Sequence, residues 1–181
     1  MNTDIEIVEC GSGSEVNKRL VVILLGRGQL VYDVENICYI EGDILPEDMQ
    51  HQRHMVQDVG QDGNVDRVTR VLDLAHAKVV ELLYPFTQHA IRHPAVDDRL
   101  REKPVYGIFL NVPETISQTT LNLLGKLIHE YMVCKAVADW LSITNTAKSE
   151  VWKAKSEDAV GEIRQNLCAR MTRIRRRMHP F

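Results

Sequence analysis

Cysteine is scarce in this sequence, and no cysteine motif is present. The four cysteines are Cys10, Cys38, Cys134 and Cys168. They are widely separated and form no Cys-x-x-Cys pair, which argues against a zinc ribbon or a thioredoxin-like redox motif. Reduced thiols in a cytosolic compartment are the simplest interpretation. Cys134 and Cys168 fall within predicted helices, where we expect them to act as small buried apolar groups.

Long hydrophobic runs are also absent. The longest strongly apolar run, Leu20–Leu25, is far too short to span a bilayer. Residues 1–15 are polar and acidic, which is not the pattern of a signal peptide. The sequence therefore predicts no membrane contact.

Motifs that bind nucleotides are missing or incomplete. Gly26 and Gly28 flank Arg27 between a predicted strand and a predicted helix, which is the position of a dinucleotide-binding turn. Val31 occupies the position of the third glycine, and the chain contains no GxxxxGK[ST] phosphate loop. We expect a structural turn and no bound cofactor.

The histidine motifs in the sequence are also incomplete. His129 begins a His-Glu pair inside a helix, but Val133 stands where a zinc protease needs its second histidine. We therefore expect His129 to serve packing. His89 and His93 are four residues apart, but their polar, proline-containing context argues against a helix.

A metal site in the acidic segment is also not supported. His51 and His54 would share a helix face with Asp58, but no further ligand is evident. The segment from Asp58 resembles a calcium loop only superficially, because its third and twelfth positions are Gly60 and Thr69. The sequence predicts no metal ligands and no catalytic residues, and hence no enzyme.

Charge is distributed very unevenly, although the formal net charge is only −3. Between Asp33 and Asp66 there are nine acidic residues and one basic residue, Arg53. Residues 164–181 contain six arginines and no acid. These are Arg164, Arg170, Arg173, Arg175, Arg176 and Arg177. Arginine clusters bind phosphate or acidic protein surfaces, so we interpret these residues, with Phe181, as interface or phosphate-contact candidates.

The most informative stretch is Ser117–Asn145, which predicts one long helix. It is apolar on most sides, so we expect it to be buried and to have the other elements packed around it. Ser117 is a good N-cap residue. A second long helix is predicted from Ala147 to about Met178, with one narrow apolar stripe. The stripe contains Trp152, Val160, Ile163, Leu167, Met171, Ile174 and Met178.

The first half of the chain predicts two further helices. One is Leu30–Ile40, whose inner face we predict to be Leu30, Val34, Ile37 and Ile40. The other is Val65–Phe86, which we expect to be capped by Asn64 or Asp66. We also predict a short helix within Glu47–Val59. Gln88–Lys103 is predicted to be a surface connection.

Strands are predicted at Asp4–Cys10, Lys18–Leu25 and Pro104–Pro113. We expect the first to be an edge strand and the other two to pair. The predicted fold is α+β and mostly α, with about four helices, of which the two long C-terminal ones pack with a sheet of two or three strands. We predict a single domain over 1–181, with an extended N-terminal arm at 1–17 and a basic C-terminal tail at 172–181.

The C-terminal half resembles a known class of proteins. The helix carrying IHEYMVCKAVADWLSIT and the following WKAKSEDAVGEIRQNLCARMTRIRRRMHPF are similar to neck proteins of tailed bacteriophages and prophages, the head–tail connector or adaptor class. LVYDVENICYIEGDIL and GNVDRVTRVLDLAHAKVVELLYPFT also look like parts of proteins from phage structural gene blocks. Those neck proteins commonly end in a helix pair with a basic tail.

The resemblance implies a non-enzymatic virion protein, assembled in the host cytoplasm as a ring of identical subunits. Portal, tail or other neck proteins would be its partners. The acidic and basic regions of one chain are suited to the two complementary surfaces that a ring contact requires. Two alternatives remain open. One is a tail terminator or capsid-associated phage protein, and the other is a DNA-binding protein that makes non-specific contacts through its arginine cluster.

Overall fold

The computed structural model describes residues 5–8, 18–87 and 104–168, and the fold is arranged around one helix. This helix, α5, spans Gln118–Thr144 and has fifteen buried residues. Ser117 caps it as predicted, because its Oγ accepts a hydrogen bond from the amide of Thr120 at 3.3 Å. The prediction of a buried central helix is confirmed, since four other helices contact it: Arg27–Asp43, Gln50–Gln57, Asp62–Leu82 and Thr146–Cys168.

The last described helix, α6, spans Thr146–Cys168 and runs back along α5. The hydroxyl of Ser149 donates to the Ala138 carbonyl oxygen at 2.9 Å, and the amide of Asn166 donates to the Thr120 carbonyl oxygen at 3.5 Å. The buried face of α6 includes Trp152 and Ile163, as the apolar stripe predicted. It also contains small residues, Ser149, Ser156 and Ala159, which let the two helices approach closely. The predicted continuation to Met178 lies outside the described residues.

Two helices from the first half of the chain flank α5. Helix α1 spans Arg27–Asp43, and α3 spans Asp62–Leu82. The Arg67 guanidinium on α3 forms an ion pair with Asp139 on α5 at 2.9 Å. On α1, the Asp33 carboxylate contacts His129 of α5 at 2.7 Å.

The sheet is small and antiparallel, with strand order β1-β2-β3. The strands are β1 at Ile5–Val8, β2 at Lys18–Gly26 and β3 at Val105–Pro113. β2 pairs with β3 from Lys18 opposite Pro113 to Gly26 opposite Val105, which confirms the predicted pairing. Strand β1 lies at one edge of the sheet, as predicted.

The helix count differs from the prediction of about four, because the described residues contain six α-helices. The additional ones are short: α2 at Gln50–Gln57 and α4 at Tyr84–Thr87. Helix α2 is the short helix expected within Glu47–Val59, with 3₁₀ turns on either side. It is held by tertiary contacts, since the Trp140 indole donates to the Val56 carbonyl oxygen at 2.9 Å.

Two details of the predicted helices are wrong. Helix α3 begins at Asp62 and not at Val65, its N-cap is Gln61, and no side chain caps it. The Asn64 amide donates instead to the Asp58 carbonyl oxygen, which ties the start of α3 to the preceding 3₁₀ turn. On α1, Ile40 is half exposed, and the buried position near the end of the helix is taken by Cys38.

No helix within the described ranges combines the length and the apolar character needed to cross a bilayer. The predicted connection Gln88–Lys103 lies outside these ranges.

Candidate interaction surfaces

Arg164 is the only predicted interface residue that the structure describes. It is exposed on the last turns of α6. The other candidates fall outside the described residues, as does the predicted tail at 172–181. They are Arg170, Arg173, Arg175, Arg176, Arg177 and Phe181.

Arg164 borders a groove of about 540 Å³ between α3, α5 and α6. Lys78 and Glu81 of α3 stand with it at the groove, and all three side chains are exposed. The apolar lining comes from Val79, Leu82, Tyr131 and Val160. Burial raises the pKa of the Tyr131 phenol, so its hydroxyl stays protonated. Two cations and one carboxylate at the rim suit weak recognition of an acidic group.

The second surface is a corner at the end of α1 that the sequence did not reveal. We define the α1–α2 corner as Tyr39, Ile40, Ile44, Met49, Glu47 and Asp48. Its four apolar side chains are between 46% and 64% exposed, and both carboxylates are exposed. The chain turns tightly here, with the amide of Leu45 donating to the Gly42 carbonyl oxygen and that of Met49 to the Pro46 carbonyl oxygen.

Helix α2 braces the corner from behind. The Gln57 amide donates to the Tyr39 carbonyl oxygen at 3.3 Å, and Arg53 forms an ion pair with Asp43. On the α6 side, Glu41 accepts a hydrogen bond from the Trp152 indole at 3.0 Å. Glu41 also forms an ion pair with Lys148 at 3.1 Å. These contacts tie the corner to α2 and α6.

The stretch of chain that contains the corner carries acidic side chains and no basic ones apart from histidine. Residues 28–52 contain six acids and no lysine or arginine. Glu41 and Asp43 are balanced by Lys148 and Arg53. Within the described residues, Glu47 and Asp48 take part in no ion pair. The exposed apolar side chains thus lie beside uncompensated negative charge.

The predicted turn at Gly26–Gly28 is not present as a separate element, because β2 ends at Gly26 and α1 begins at Arg27, with Gly28 in its first turn. Structural contacts occupy this strand–helix junction. The Arg27 amide donates to the Pro104 carbonyl oxygen at 3.0 Å. The Arg27 guanidinium donates to the Thr69 hydroxyl at 3.4 Å. A Cβ added at either glycine would meet no atom within 4 Å, so no close backbone approach depends on them. These contacts join β3, α1 and α3.

Beside this junction lies a partly buried polar cluster that the sequence did not single out. The His76 imidazole Nε2 lies 3.0 Å from the Gly107 carbonyl oxygen, and its ring lies 5.3 Å from that of Tyr106. Burial, with the charge of Asp73, raises the pKa of Tyr106. The contacts of His76 with Tyr106 and Gly107 join α3 to β3, and a phenol that stays protonated is a poor acid or base.

His129 is buried at the contact between α1 and α5. Its Nε2 lies 2.7 Å from Asp33 Oδ2, and the Gln29 amide donates to the other carboxylate oxygen at 2.9 Å. The imidazole is only 6% exposed, which restricts access by a substrate. The sequence did not indicate Asp33 as its partner, because 96 residues separate the two.

The remaining histidine candidates do not converge on a metal. His51 and His54 are exposed on α2, and Asp58 lies in the following 3₁₀ turn. Within the described residues, no three His, Cys, Asp or Glu side chains are grouped to hold a metal ion. His89 and His93 lie outside those residues.

The two described cysteine side chains are buried and free. Burial, with a smaller effect of Glu41, raises the pKa of the Cys38 thiol to about 12. Burial, with a smaller effect of Glu130, raises the pKa of the Cys134 thiol to about 12 as well. Thiols with such pKa values are poor nucleophiles near neutral pH. The side chain of Cys168 and all of Cys10 lie outside the description.

We compared the chain with protein-family models, with curated proteins and with solved structures, and found no match in any of the three comparisons.

Proposed function

We propose that this chain is a non-enzymatic assembly subunit that works through protein–protein contacts. The α1–α2 corner carries this proposal. Four large apolar side chains, each about half exposed or more within one tightly turned stretch of eleven residues, are typical of a surface that another protein covers. Glu47 and Asp48, which lie between Ile44 and Met49 in the chain, add charge selectivity to such a contact.

The chemistry of the buried groups supports a non-enzymatic role. His129 is bonded to Asp33, and the thiols of Cys38 and Cys134 are held protonated by burial. Each of these groups joins packed elements or fills the core. None of them lines the groove at Arg164.

The specific form that we propose is a ring of identical subunits at the neck of a tailed bacteriophage, as a head–tail connector or adaptor. The resemblance of the α5–α6 sequence to neck proteins supports this form. A ring needs a different surface on each side of the subunit, and the acidic corner and the arginine-rich end of the chain differ in this way. Portal and tail or neck proteins would be the neighbours, and the virion the location.

The test is the mass and shape of the purified full chain. We expect a discrete oligomer by light scattering and a closed ring by negative-stain electron microscopy. Labelled protein expressed in phage-infected cells should be found at the neck of the particle. A position at the far end of the tail or on the capsid would favour the tail-terminator or capsid alternative. A chain that stays monomeric up to millimolar concentration and joins no particle would contradict the proposal.

Binding to DNA is the second candidate, and the position of Arg164 favours it. Arg164 shares its groove with Lys78, so two cations stand beside the one carboxylate of Glu81 at this surface. Such contact would be with the phosphate backbone and steeply dependent on salt. Fluorescence anisotropy with duplex DNA at 50 and 200 mM NaCl tests it. No binding at 50 mM would eliminate this candidate.

A further inference from the structure

We infer that the α1–α2 corner of one subunit receives the arginine-rich C-terminal segment, residues 164–178, of a second copy. This inference rests on the proposed assembly role and names the two surfaces that meet. The corner offers four apolar side chains with two uncompensated carboxylates. The segment offers what matches them: apolar Leu167, Met171, Ile174 and Met178 among six arginines and no acids.

Charge selects this occupant over a generic apolar partner. Residues 28–52 carry only negative formal charge, while residues 164–178 carry only positive formal charge. Opposite potentials on facing surfaces accelerate encounter and suppress wrong partners. Arginine suits this role because its guanidinium pairs bidentately with carboxylates such as Glu47 and Asp48.

The geometry of α6 favours a second copy as the source of the segment. Helix α6 passes Glu41 at Trp152 and ends at Cys168, so its end lies about 24 Å farther along the molecule, at 1.5 Å per residue. Arg173 follows five residues later. Even a fully extended chain of that length spans only about 17 Å. Arg170 and Arg173 therefore fall short of the corner of their own chain.

A contact between two different surfaces, repeated from copy to copy, is heterologous and closes into a ring or grows into a filament. The corner and the end of α6 lie at opposite ends of the helical body, since α6 starts beside Glu41 and its last turns lie beside Thr120. Each subunit can therefore use both surfaces at once.

Substitutions that change charge test the contact, and those at the corner fall on exposed side chains outside the core. The corner variant is Ile44→Lys with Asp48→Lys, and the tail variant is Arg173→Glu with Arg176→Glu. The matched control is Val151→Lys with Glu150→Lys, an exposed apolar and acidic pair on α6. We expect the corner and tail variants to be monomeric by sedimentation velocity, while the control assembles as the wild type does.

Combination of the two changes provides the decisive measurement. Both pairs placed in one chain, or the two variants mixed in equal amounts, should restore assembly because the charges are complementary again. Failure of both combinations to assemble would overturn the inference. Assembly of the corner variant at wild-type strength would also overturn it, yet leave the proposed assembly role intact.

A binding assay separates the inference from the ring itself. A fluorescent peptide of residues 164–178 is titrated with the full-length tail variant, whose corner is unchanged. We expect binding that weakens at least tenfold when the corner substitutions are added. Equal binding by both proteins would assign the corner to another partner and overturn the inference. The peptide could bind at the corner even if the chain never forms oligomers. That result would support the docking site and contradict the proposed ring.

Discussion

At the scale of single residues, Gly42 shows how closely α1 and α2 approach behind the corner. A Cβ at this position would lie 2.7 Å from Gln57 Cγ and 3.2 Å from the Arg53 carbonyl oxygen. Neither atom is the free end of a side chain. Glycine is required here by space, and not by an unusual backbone conformation.

We therefore expect Gly42→Ala to lower the free energy of unfolding by about 1–2 kcal/mol, because the cost of overpacking exceeds the higher helix propensity of alanine. The matched control is Gly161→Ala in α6, where an added Cβ meets nothing within 4 Å. That change should stabilise the protein by about 0.5–1 kcal/mol. Urea denaturation measures both. Equal effects of the two substitutions would contradict the tight contact.

The buried thiols make stability depend on alkaline pH. The thiols of Cys38 and Cys134 keep their protons to about pH 12 in the folded chain but lose them near pH 9 when unfolded. Above pH 9 the unfolded state binds fewer protons, so the free energy of unfolding falls as the pH rises. The slope is about 1.4 kcal/mol per pH unit for each thiol.

Denaturation between pH 8 and pH 10.5 should show this fall, and Cys38→Ala with Cys134→Ala should flatten it after the constant loss from truncation is subtracted. The thiol-exchange rate with Ellman's reagent is an independent check, because neither thiol should react in the native state at pH 8. Rapid native-state labelling of either position would refute the assignment.

At the scale of elements, the contact between His129 and Asp33 joins α1 to the central helix. Removal of the imidazole leaves a partly buried carboxylate with one fewer donor. We expect His129→Ala to reduce the free energy of unfolding by about 1–3 kcal/mol. His54→Ala on the exposed face of α2 is the control and should change it by less than about 0.5 kcal/mol. Thermal or urea denaturation distinguishes the two, and an equally small effect at His129 would show that the contact is dispensable.

Local sequence signals predicted the elements that carry their own pattern. The β-branched run of β2, the serine cap and the all-round apolar character of α5 are each contained in one continuous stretch, so those elements were predicted nearly to the residue. Helix α2 is different, because its register is fixed by Trp140, which bonds to Val56 from 84 residues away. No local pattern contains that information.

The same reasoning explains what was missed at the candidate surface. Periodicity placed Ile40 on the inner face because an isoleucine on a helix usually points inward. In the structure Cys38 occupies the buried position, and Ile40 joins Tyr39 and Ile44 outside. Tyr39 and Met49 carried no sequence signal of exposure. The charge asymmetry was visible in the sequence, but which acids are already paired became clear only from Lys148 and Arg53.

At the scale of the whole molecule, the separation of charge predicts how the proposed assembly would respond to salt. An acidic corner and an arginine-rich segment attract each other less as ions screen them. We expect the association constant to fall about tenfold between 50 and 500 mM NaCl, as measured by sedimentation equilibrium. The apolar side chains at the corner should preserve some association at high salt. An association constant that rises with salt would show that apolar burial alone drives the contact.

The pairing of β2 with β3 also dictates the order in which the molecule can form. Gly26 pairs with Val105, although α1, α2, α3 and α4 separate the two strands in the sequence. β2 and β3 can therefore pair only after all four of these helices have been synthesised. Such distant pairings are slow because the loop entropy must be lost before the strands gain contacts. The hairpin of α5 and α6 needs only neighbouring residues and should form first. During synthesis, the edge of β2 that pairs with β3 must therefore wait for the second half of the chain, and in that interval we expect it to be exposed to aggregation or to a chaperone.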